Sequence, residues 1–333
     1  MQNSVENIYL ADYLNNPSYQ ATRDGFGDAL VQAAEKNQNI VALSADLTSS
    51  LRLTAFEEKF PKRLIQVGVA EQNLMGVAAG LALGGKVPFA TSYAVFNPGR
   101  NWDQLRVSVC YSNLNVKVVG GHAGVNTGAD GASHQALEDI ALTRVLPNMT
   151  VVVPCDYQEA CKATAAIAKF TGPAYLRLNR EKTLDITTEN TPFEIGKAVT
   201  LRQGTDATII ACGTMVAEAL LAAEELAKQN INLRVINLHT IKPIDKQAII
   251  QVANETGAII TAEDHQIMAG MGSAVAEVLV QAQGREVSKL IPVEMVAVKD
   301  SFTESGNAKE LMHKYEIDKN AIMKAVNKVL EKK

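Results

Sequence analysis

The chain has 333 residues, of which 47% are hydrophobic and 20% are charged, and its formal net charge is -4 at pH 7. The composition is that of a globular protein and excludes extensive disorder, while the length favours two domains. The mild negative charge, without a basic stripe, argues against nucleic acid or an anionic membrane as a partner.

Helical and strand patterns alternate from about residue 22 onward. In the first half the predicted helices span residues 24–35, 74–83, 101–112 and 136–144, and the predicted strands span residues 39–44, 64–69, 87–91, 116–120, 149–153 and 174–178. Strands separated by helices indicate a mostly parallel sheet covered by helices. We therefore expect a functional site at the carboxyl ends of these strands.

A second alternating region begins near residue 198. Its predicted helices span residues 215–229, 246–255 and 272–282, and its predicted strands span residues 207–212, 232–238 and 258–262. The best boundary lies between residues 180 and 197, which gives one domain over residues 18–182 and another over 197–330. The predicted fold class is α/β, with two domains that each contain a mostly parallel sheet covered by helices.

One polar segment of the second half, Glu263-Asp264-His265, is followed by the glycine-containing run 270–273. It could form a loop at an interface. The favoured interpretation is a turn between a strand and a helix that needs glycine.

The four cysteines lie in apolar segments, at positions 110, 155, 161 and 212, without a CxxC pair or a histidine at ligand spacing. We interpret them as reduced core residues and expect no metal site on this chain. No apolar run is long enough to span a membrane, and the N-terminus lacks the blocks of a signal peptide, so we expect a cytoplasmic protein.

Glu71 lies in the heptapeptide 67–73, which opens the apolar helix 74–83. A carboxylate that is removed from water costs free energy unless it is paired or protonated, so this acid could be held there for chemistry. The alternative is an acidic side chain that only complements the positive end of the helix dipole.

Two further groups of residues could carry chemistry. The glycine-rich loop over residues 120–135 contains two of the five histidines, His122 and His134, with Asp130 between them. Imidazoles can move protons near neutral pH, although a structural loop with surface histidines is the alternative. Tyr93 and Phe96 follow a predicted strand and could form a stacking platform or simply pack in the core.

Together these pieces resemble a known family. The Glu71 segment, the aromatic pair Tyr93 and Phe96, the loop segments 128–131 and 133–135, and residues 146–149 look like the pyrimidine-binding domain of transketolases. The second half is similar to the transketolase C-terminal domain. The resemblance implies thiamine diphosphate as the cofactor, and it implies that the protein supplies positioning while the cofactor supplies the chemistry.

One element of the family is missing. Full-length transketolases carry an earlier domain in which a Gly-Asp-Gly segment and a downstream asparagine hold Mg²⁺ and the diphosphate. We therefore expect this chain to be the C-terminal subunit of a split transketolase, inactive alone. Its partner would be an N-terminal subunit that holds Mg²⁺ and shares the cofactor, in an α2β2 assembly.

The resemblance implies cofactor contacts for four residues. The glutamate that matches Glu71 bonds to N1′ of the aminopyrimidine and is catalytic. Phe96 would lie under the pyrimidine with Tyr93 beside it, and Asp46, in the polar run after the strand 39–44, would also contact the cofactor.

The resemblance also implies substrate contacts. Asp130 would recognise a ketose hydroxyl, and His134 would be catalytic, contacting the donor oxygen during proton transfer. Four residues match positions that bind a sugar phosphate: Arg23, Ser50, His122 and Arg180. Two arginines and a hydroxyl group can bind an oxyanion, because hydrogen bonds from a charged donor to an anion are strong and directional. The alternatives are that Arg23 caps a surface helix and that Arg180 pairs with Glu181 or another acid.

The implied activity is transfer of a two-carbon ketol unit from a ketose phosphate to an aldose phosphate. One alternative is the β subunit of a 2-oxo acid dehydrogenase or a 1-deoxyxylulose-phosphate-synthase-like enzyme, which shares the domain pair and the glutamate. Another is a non-catalytic paralogue that kept the fold as a binding or scaffolding protein.

Overall fold

The computed structural model of the chain describes residues 9–333. The strands of its first half are β1 (Tyr19–Gln20), β2 (Ile40–Ser44), β3 (Leu64–Gln66), β4 (Val87–Tyr93), β5 (Lys117–Gly121), β6 (Thr150–Val152), β7 (Ala174–Arg177) and β8 (Thr183–Leu184). The α-helices are α1 (Thr22–Lys36), α2 (Thr54–Lys59), α3 (Glu71–Leu83), α4 (Trp102–Gln104), α5 (Asp139–Arg144) and α6 (Tyr157–Lys169). Short 3-10 helices cover Pro61–Arg63 and Val125–Asp130, and a π-helix covers Leu105–Tyr111.

The second half repeats the alternation of strands and helices. Its strands are β9 (Val199–Arg202), β10 (Ala207–Ala211), β11 (Leu233–Asn237), β12 (Thr240–Lys242), β13 (Ile259–Gln266) and β14 (Val293–Val298). Its helices are α7 (Met215–Ala227), α8 (Lys246–Thr256), α9 (Met271–Ala282), α10 (Ala308–Lys314) and α11 (Lys319–Leu330).

The larger sheet has seven strands in the order β12-β6-β7-β5-β4-β2-β3. All neighbours are parallel except β12 and β6. Strands β2 and β5 are buried along their whole length, because helices cover both faces of the sheet, and the sequence of β2 is therefore a nearly continuous apolar run rather than an alternating one. The site side chains project from the carboxyl ends of this sheet.

The smaller sheet has five strands in the order β14-β13-β10-β11-β9, with β9 antiparallel to β11 and the rest parallel. Helices α7 and α11 pack together with their apolar faces in one core cluster, and β10 is fully buried. The predicted α/β fold with two mostly parallel sheets is confirmed.

One strand joins the two halves. Although β12 belongs to the second half of the chain, it pairs antiparallel with β6 and forms the edge of the larger sheet. The two halves are therefore connected by backbone hydrogen bonds as well as by side chains.

Several predicted boundaries differ from the observed ones. The strand predicted over 64–69 ends at Gln66, and the helix predicted over 101–112 consists of the short α4 and the π-helix. The helix predicted over 136–144 begins only at Asp139, because Ala136 forms a β-bridge with Ala123. The segment Glu263-Asp264-His265 is not a turn: it is buried and continues β13.

The four cysteines are free, and Cys161 is the one that is partly exposed. Within residues 9–333 no helix is long and apolar enough to cross a membrane. Over the same described residues, no cluster of three or more histidine, cysteine, aspartate or glutamate side chains has the arrangement of a metal site.

Candidate functional site

The carboxyl ends of β4 and β5 bring the glycine-rich loop next to the aromatic segment. In the parallel register, Tyr93 at the end of β4 lies opposite Gly121 at the end of β5. Because His122 follows Gly121 directly, its imidazole meets the Tyr93 ring, with centroids 4.0 Å apart. The sheet register therefore sets the centre of the site.

Four rings from two segments converge at this point, and we call them the ring cluster: Tyr93, Phe96, His122 and His134. The His134 ring lies edge-on to Tyr93 at 5.6 Å and to Phe96 at 5.5 Å between centroids. Tyr93 and Phe96 are 6.4 Å apart. Edge-on packing of this kind is favourable for aromatic rings and fixes their orientation.

Glu71 lies at the first position of α3 and is 1% exposed. Ser92 Oγ donates to Glu71 Oε1 at 3.0 Å, and Arg100 Nη1 donates to Oε2 at 2.7 Å. The carboxylate thus has hydrogen-bond donors on both oxygens, as a buried charge requires. Its partners lie outside α3, so it does more than complement the helix dipole.

Arg100 connects Glu71 with the ring cluster. Its guanidinium carbon lies 4.4 Å from the centroid of Phe96, and the same group donates to Glu71. A flat group that carries N–H donors can therefore stack on Phe96 and bond to Glu71 at once. An aminopyrimidine makes the same two kinds of contact, so the residues present fit that ring.

A second group of residues lies beside the ring cluster, and we call it the basic pocket: Arg23, Ser50, His122 and Arg180. Arg23 Nη1 donates to the carbonyl of Ser50 at 3.0 Å and lies 3.5 Å from His122 Nε2. Burial and the nearby Arg52 lower the pKa of the Arg23 guanidinium. Its Nε is buried without a partner among the described residues. The contacts therefore connect Arg23 with Ser50 and His122 rather than with a helix end.

Arg180 holds the other side of the glycine-rich loop. Its Nη1 donates to the carbonyl of Thr127 at 3.0 Å and to Asp130 Oδ1 at 3.2 Å. Its Nε lies 3.7 Å from a carboxylate oxygen of Glu181. Arg180 therefore pairs with two acids, and Asp130 is the closer one.

His122 is neutral in the folded chain. Burial, followed by the positive charges of Arg23 and Arg180, lowers the pKa of His122 from 6.5 to about 3. Since a guanidinium only donates, Nε2 accepts from Arg23, and the neutral ring then carries its proton on Nδ1. Nδ1 is buried and has no partner among the described residues, so it offers a donor to an oxyanion.

This burial predicts a pH dependence of stability. The unfolded chain protonates His122 below about pH 6.5 and the folded chain only near pH 3, so the free energy of unfolding should fall as the pH falls through that window. His122→Asn should reduce the slope by about 1.4 kcal/mol per pH unit, the value for one proton. Urea unfolding between pH 4 and 7 measures it, with the exposed His313→Asn as the control. Equal slopes for both variants would contradict the assignment.

His134 belongs to the ring cluster, whereas Asp46 lies at the surface. Ser133 Oγ lies 2.9 Å from His134 Nδ1, which leaves Nε2 as the nitrogen available to a ligand. Asp46 is exposed, and its backbone N–H donates to the side chain of Gln66 at 3.3 Å. In the part of the chain that the structure describes, no hydrogen bond connects Asp46 with the ring cluster.

Two side chains of the site were missed by the sequence analysis. Arg100 and Ser92 bind both oxygens of Glu71, but they lie 29 and 21 residues away from it. Ser92 lies within β4, and Arg100 lies in the turn after it. No spacing in the sequence distinguishes them from other surface or strand residues.

Comparison with protein families matches the chain in two parts. Residues 18–184 match the transketolase pyrimidine-binding domain, and residues 196–322 match the transketolase C-terminal domain. The 6-deoxy-6-sulfo-D-fructose transketolase subunit SqwH of a Clostridium species is 43% identical, over 93% of this chain and 95% of that protein. A subunit of the apulose-4-phosphate transketolase of Phocaeicola vulgatus is 37% identical, over 94% of this chain and 98% of that protein.

A solved structure shows the same arrangement. A split-gene transketolase, described as an inactive beta4 tetramer, superimposes with a TM-score of 0.86 and 44% identity. The match covers 93% of this chain and 98% of the other.

Proposed function

Since this chain belongs to the transketolase family, we propose that it is the C-terminal subunit of a thiamine-diphosphate-dependent transketolase that moves a two-carbon ketol unit from a ketose phosphate to an aldose phosphate. The observation that carries this proposal is the convergence of the buried Glu71 and the ring cluster at one edge of the sheet. A buried acid and an aromatic platform that meet at the carboxyl ends of parallel strands, where α/β proteins bind ligands, favour a catalytic subunit over a scaffold.

The cofactor contacts follow from this convergence. Glu71 binds the pyrimidine nitrogen, Phe96 supports the ring from below and Tyr93 lies beside it. Bound thiamine diphosphate supplies a carbon nucleophile that accepts the ketol unit. Because the Glu71 side chain is buried, its carboxyl would share a proton with the ring nitrogen far more effectively than a solvated acid does. Asp46 is proposed as a further contact from the exposed edge of the pocket.

The substrate contacts use the basic pocket. Arg23, Ser50, His122 and Arg180 bind the terminal phosphate, while Asp130 accepts a hydrogen bond from a ketose hydroxyl. His134 moves a proton at the donor oxygen through Nε2. The names of two relatives include a sulfonated sugar and a sugar phosphate, and both sugars carry a terminal anion. We therefore propose the same class of substrate for this chain.

The basic pocket gives a test. Arg23→Gln should raise KM for a phosphorylated donor about tenfold or more, because a charge-assisted hydrogen bond to an anion is lost. KM for the dephosphorylated sugar should change little. Steady-state kinetics of the assembled enzyme measures both values, with Arg106→Gln, an exposed arginine, as the control. An equal loss for both sugars would remove Arg23 from the phosphate site.

The assembly contacts involve α3. Gln72, Gly76 and Gly80 are exposed on one face of this helix, and a Cβ added at either glycine meets no atom within 4 Å. Beside them Val69 is 69% and Leu83 is 75% exposed. Glu71 starts the same helix, so a subunit that packs on this face closes the cofactor pocket. We propose that an N-terminal subunit, which holds Mg²⁺ and the diphosphate, packs there in an α2β2 assembly.

Three assays distinguish the alternatives. Isothermal titration of thiamine diphosphate into the mixed subunits should release heat, and Glu71→Ala should abolish it, whereas a scaffold would give no heat. Transfer from xylulose 5-phosphate supports the transketolase proposal. Turnover of pyruvate without such transfer would instead favour a 2-oxo acid dehydrogenase or a 1-deoxyxylulose-phosphate-synthase-like enzyme. The proposed location is the cytoplasm, where sugar phosphates are present.

A further inference from the structure

The glycine-rich loop is held in place by the second half of the chain. We call residues 122–136 the substrate loop, because it carries His122, Asp130 and His134. At its centre is the 3-10 helix Val125–Asp130. The backbone is not helical at Gly128 (φ +71°, ψ −116°), which separates a first turn that begins at Val125 from a second turn that ends at Asp130, so the position of Asp130 depends on how both turns are held.

The beginning of the helix has no side-chain cap of its own. Its N-cap residue is Gly124, and the first backbone N–H groups need acceptors from elsewhere. Asp264 of β13 provides them: Oδ1 accepts from the N–H of Val125 at 2.8 Å, and Oδ2 accepts from the N–H of Asn126 at 3.2 Å. A carboxylate from one half of the chain thus caps a helix in the other.

The geometry at Gly124 leaves room for this carboxylate alone. Gly124 has a φ of +77°, and an added Cβ would lie 2.1 Å from Asp264 Oδ2. A serine, threonine or aspartate cap at position 124 is therefore excluded by the Asp264 side chain. Glycine and Asp264 form one arrangement, in which the acid reaches the helix because the N-cap residue lacks a side chain.

Arg177 connects Asp264 with the end of the substrate loop. Its Nη2 donates to the carbonyl of Asp264 at 2.8 Å and to the carbonyl of Ala136 at 3.2 Å. Its Nε donates to Asp139 Oδ2 at 2.8 Å. Burial alone would raise the pKa of Asp139, but Arg177 holds that pKa below its ordinary value. The paired charges keep this junction ordered.

Gln135 provides a third attachment. Its Nε2 donates to the carbonyl of Gly128 within the loop, at 2.9 Å, and to the carbonyl of Glu304 at 3.1 Å. Thr303 Oγ1 donates to Gln135 Oε1. The start of the substrate loop, through Asp264, and its end, through Gln135, are therefore bonded to the second half of the chain, and Gln135 also holds the centre at Gly128.

We propose that Asp264 is a positioning residue, which sets the substrate loop so that Asp130 and the basic pocket face the sugar phosphate. This inference rests on the proposed function for the identity of the substrate. It assigns the C-terminal half an indirect role in binding substrate, because Asp264 holds backbone N–H groups of the substrate loop and does not contact the sugar.

The test compares two neighbouring acids. Asp264→Asn keeps the size of the side chain but turns an NH₂ group toward one of the two N–H donors. Glu263→Gln is the matched control: Glu263 is 1% exposed, lies on the same strand and accepts from the N–H groups of Met271 at 2.6 Å and Gly272 at 2.8 Å at the start of α9. Both variants weaken a buried helix cap, but only Asp264 faces the substrate loop.

Two measurements are made on both variants. In the chain alone, hydrogen exchange should become faster across residues 122–136 in Asp264→Asn and not in Glu263→Gln. In the assembled enzyme, Asp264→Asn should raise KM for the ketose phosphate about tenfold or more, and kcat should fall by a smaller factor because His134 lies at the other end of the loop, while thiamine diphosphate affinity stays within about twofold. Glu263→Gln should leave KM unchanged.

The outcomes distinguish a failure of the proposed role of Asp264 from a failure of the proposed function. Equal hydrogen exchange in the two variants, or an equal change in KM, would overturn the role of Asp264. If Asp264→Asn does not fold, Asp264→Ser, which is smaller and keeps a hydroxyl acceptor for one of the two N–H groups, tests the same contact and should give the same exchange and KM effects. Absence of ketol transfer in the wild-type assembly would refute the proposed function, while the exchange experiment would still test the contact itself.

Discussion

Glu71→Gln is expected to lower kcat of the assembled enzyme by about a hundredfold or more, the loss typical of removing a catalytic acid or base. The amide fills the same space beside Ser92 and Arg100, so the fold should survive. It cannot share a proton with the pyrimidine nitrogen, because an amide does not titrate in this range. The measurement is single-turnover transfer with saturating cofactor.

The control for this variant is Asp103→Asn, which changes an exposed carboxylate in the short helix that follows Arg100. It should retain wild-type kcat. Circular dichroism and thermal unfolding of both variants show whether the fold is intact. A Glu71→Gln enzyme with more than about half of the wild-type kcat would show that this carboxyl has no part in proton transfer.

The second large effect concerns the partner subunit. The chain alone should show no ketol transfer above the buffer background, and activity should rise with added N-terminal subunit until the two are equimolar. The reason is that, in the proposed site, Glu71 and the ring cluster would bind only the pyrimidine end of the cofactor. The measurement is a titration of activity and of mass by light scattering.

A substitution on the exposed face of α3 provides the matched test. Gly80→Arg adds a side chain where the chain alone offers open space, so thermal unfolding of the single subunit should change little. The same side chain should block close packing by the partner and abolish both assembly and activity. Transfer by the chain alone, or normal assembly of Gly80→Arg, would contradict the proposed interface.

The fold was predictable where apolar runs are continuous. Strands β2 and β10 are fully buried, and the apolar residues at 40–44 and 207–211 predicted them directly. Helix α6 was missed although a signal existed: Asp156 caps the helix by accepting from the N–H of Glu159. The residues that follow also have a helical period, with Ala160, Ala163 and Ile167 buried on one face, so the cap and the periodicity together were sufficient to predict this helix.

The segment Glu263-Asp264-His265 shows why other features were not predictable. Three consecutive polar residues normally indicate the end of a strand. Here β13 continues through them, because Asp264 binds N–H groups of the substrate loop and the Arg177 guanidinium lies on its carbonyl. These partners lie 139 and 87 residues away, so local sequence cannot show that the polar groups are satisfied.

Some residues of the candidate site were likewise predictable from the sequence and others were not. Glu71, Phe96 and His134 were identified because each lies in a distinctive segment of the resemblance. Arg100 was not, because an arginine in a turn after a strand has no pattern of its own. The convergence of these residues depends on the parallel register of β4 and β5, which the sequence implies only as a general arrangement.

The proposed ketol transfer is tested most directly by a product analysis of the assembled enzyme supplied with xylulose 5-phosphate and an aldose phosphate acceptor. We expect an acceptor lengthened by two carbons and a donor shortened by two, and we expect this transfer to require thiamine diphosphate and Glu71. Unchanged sugars, together with consumption of pyruvate in a parallel reaction, would contradict it.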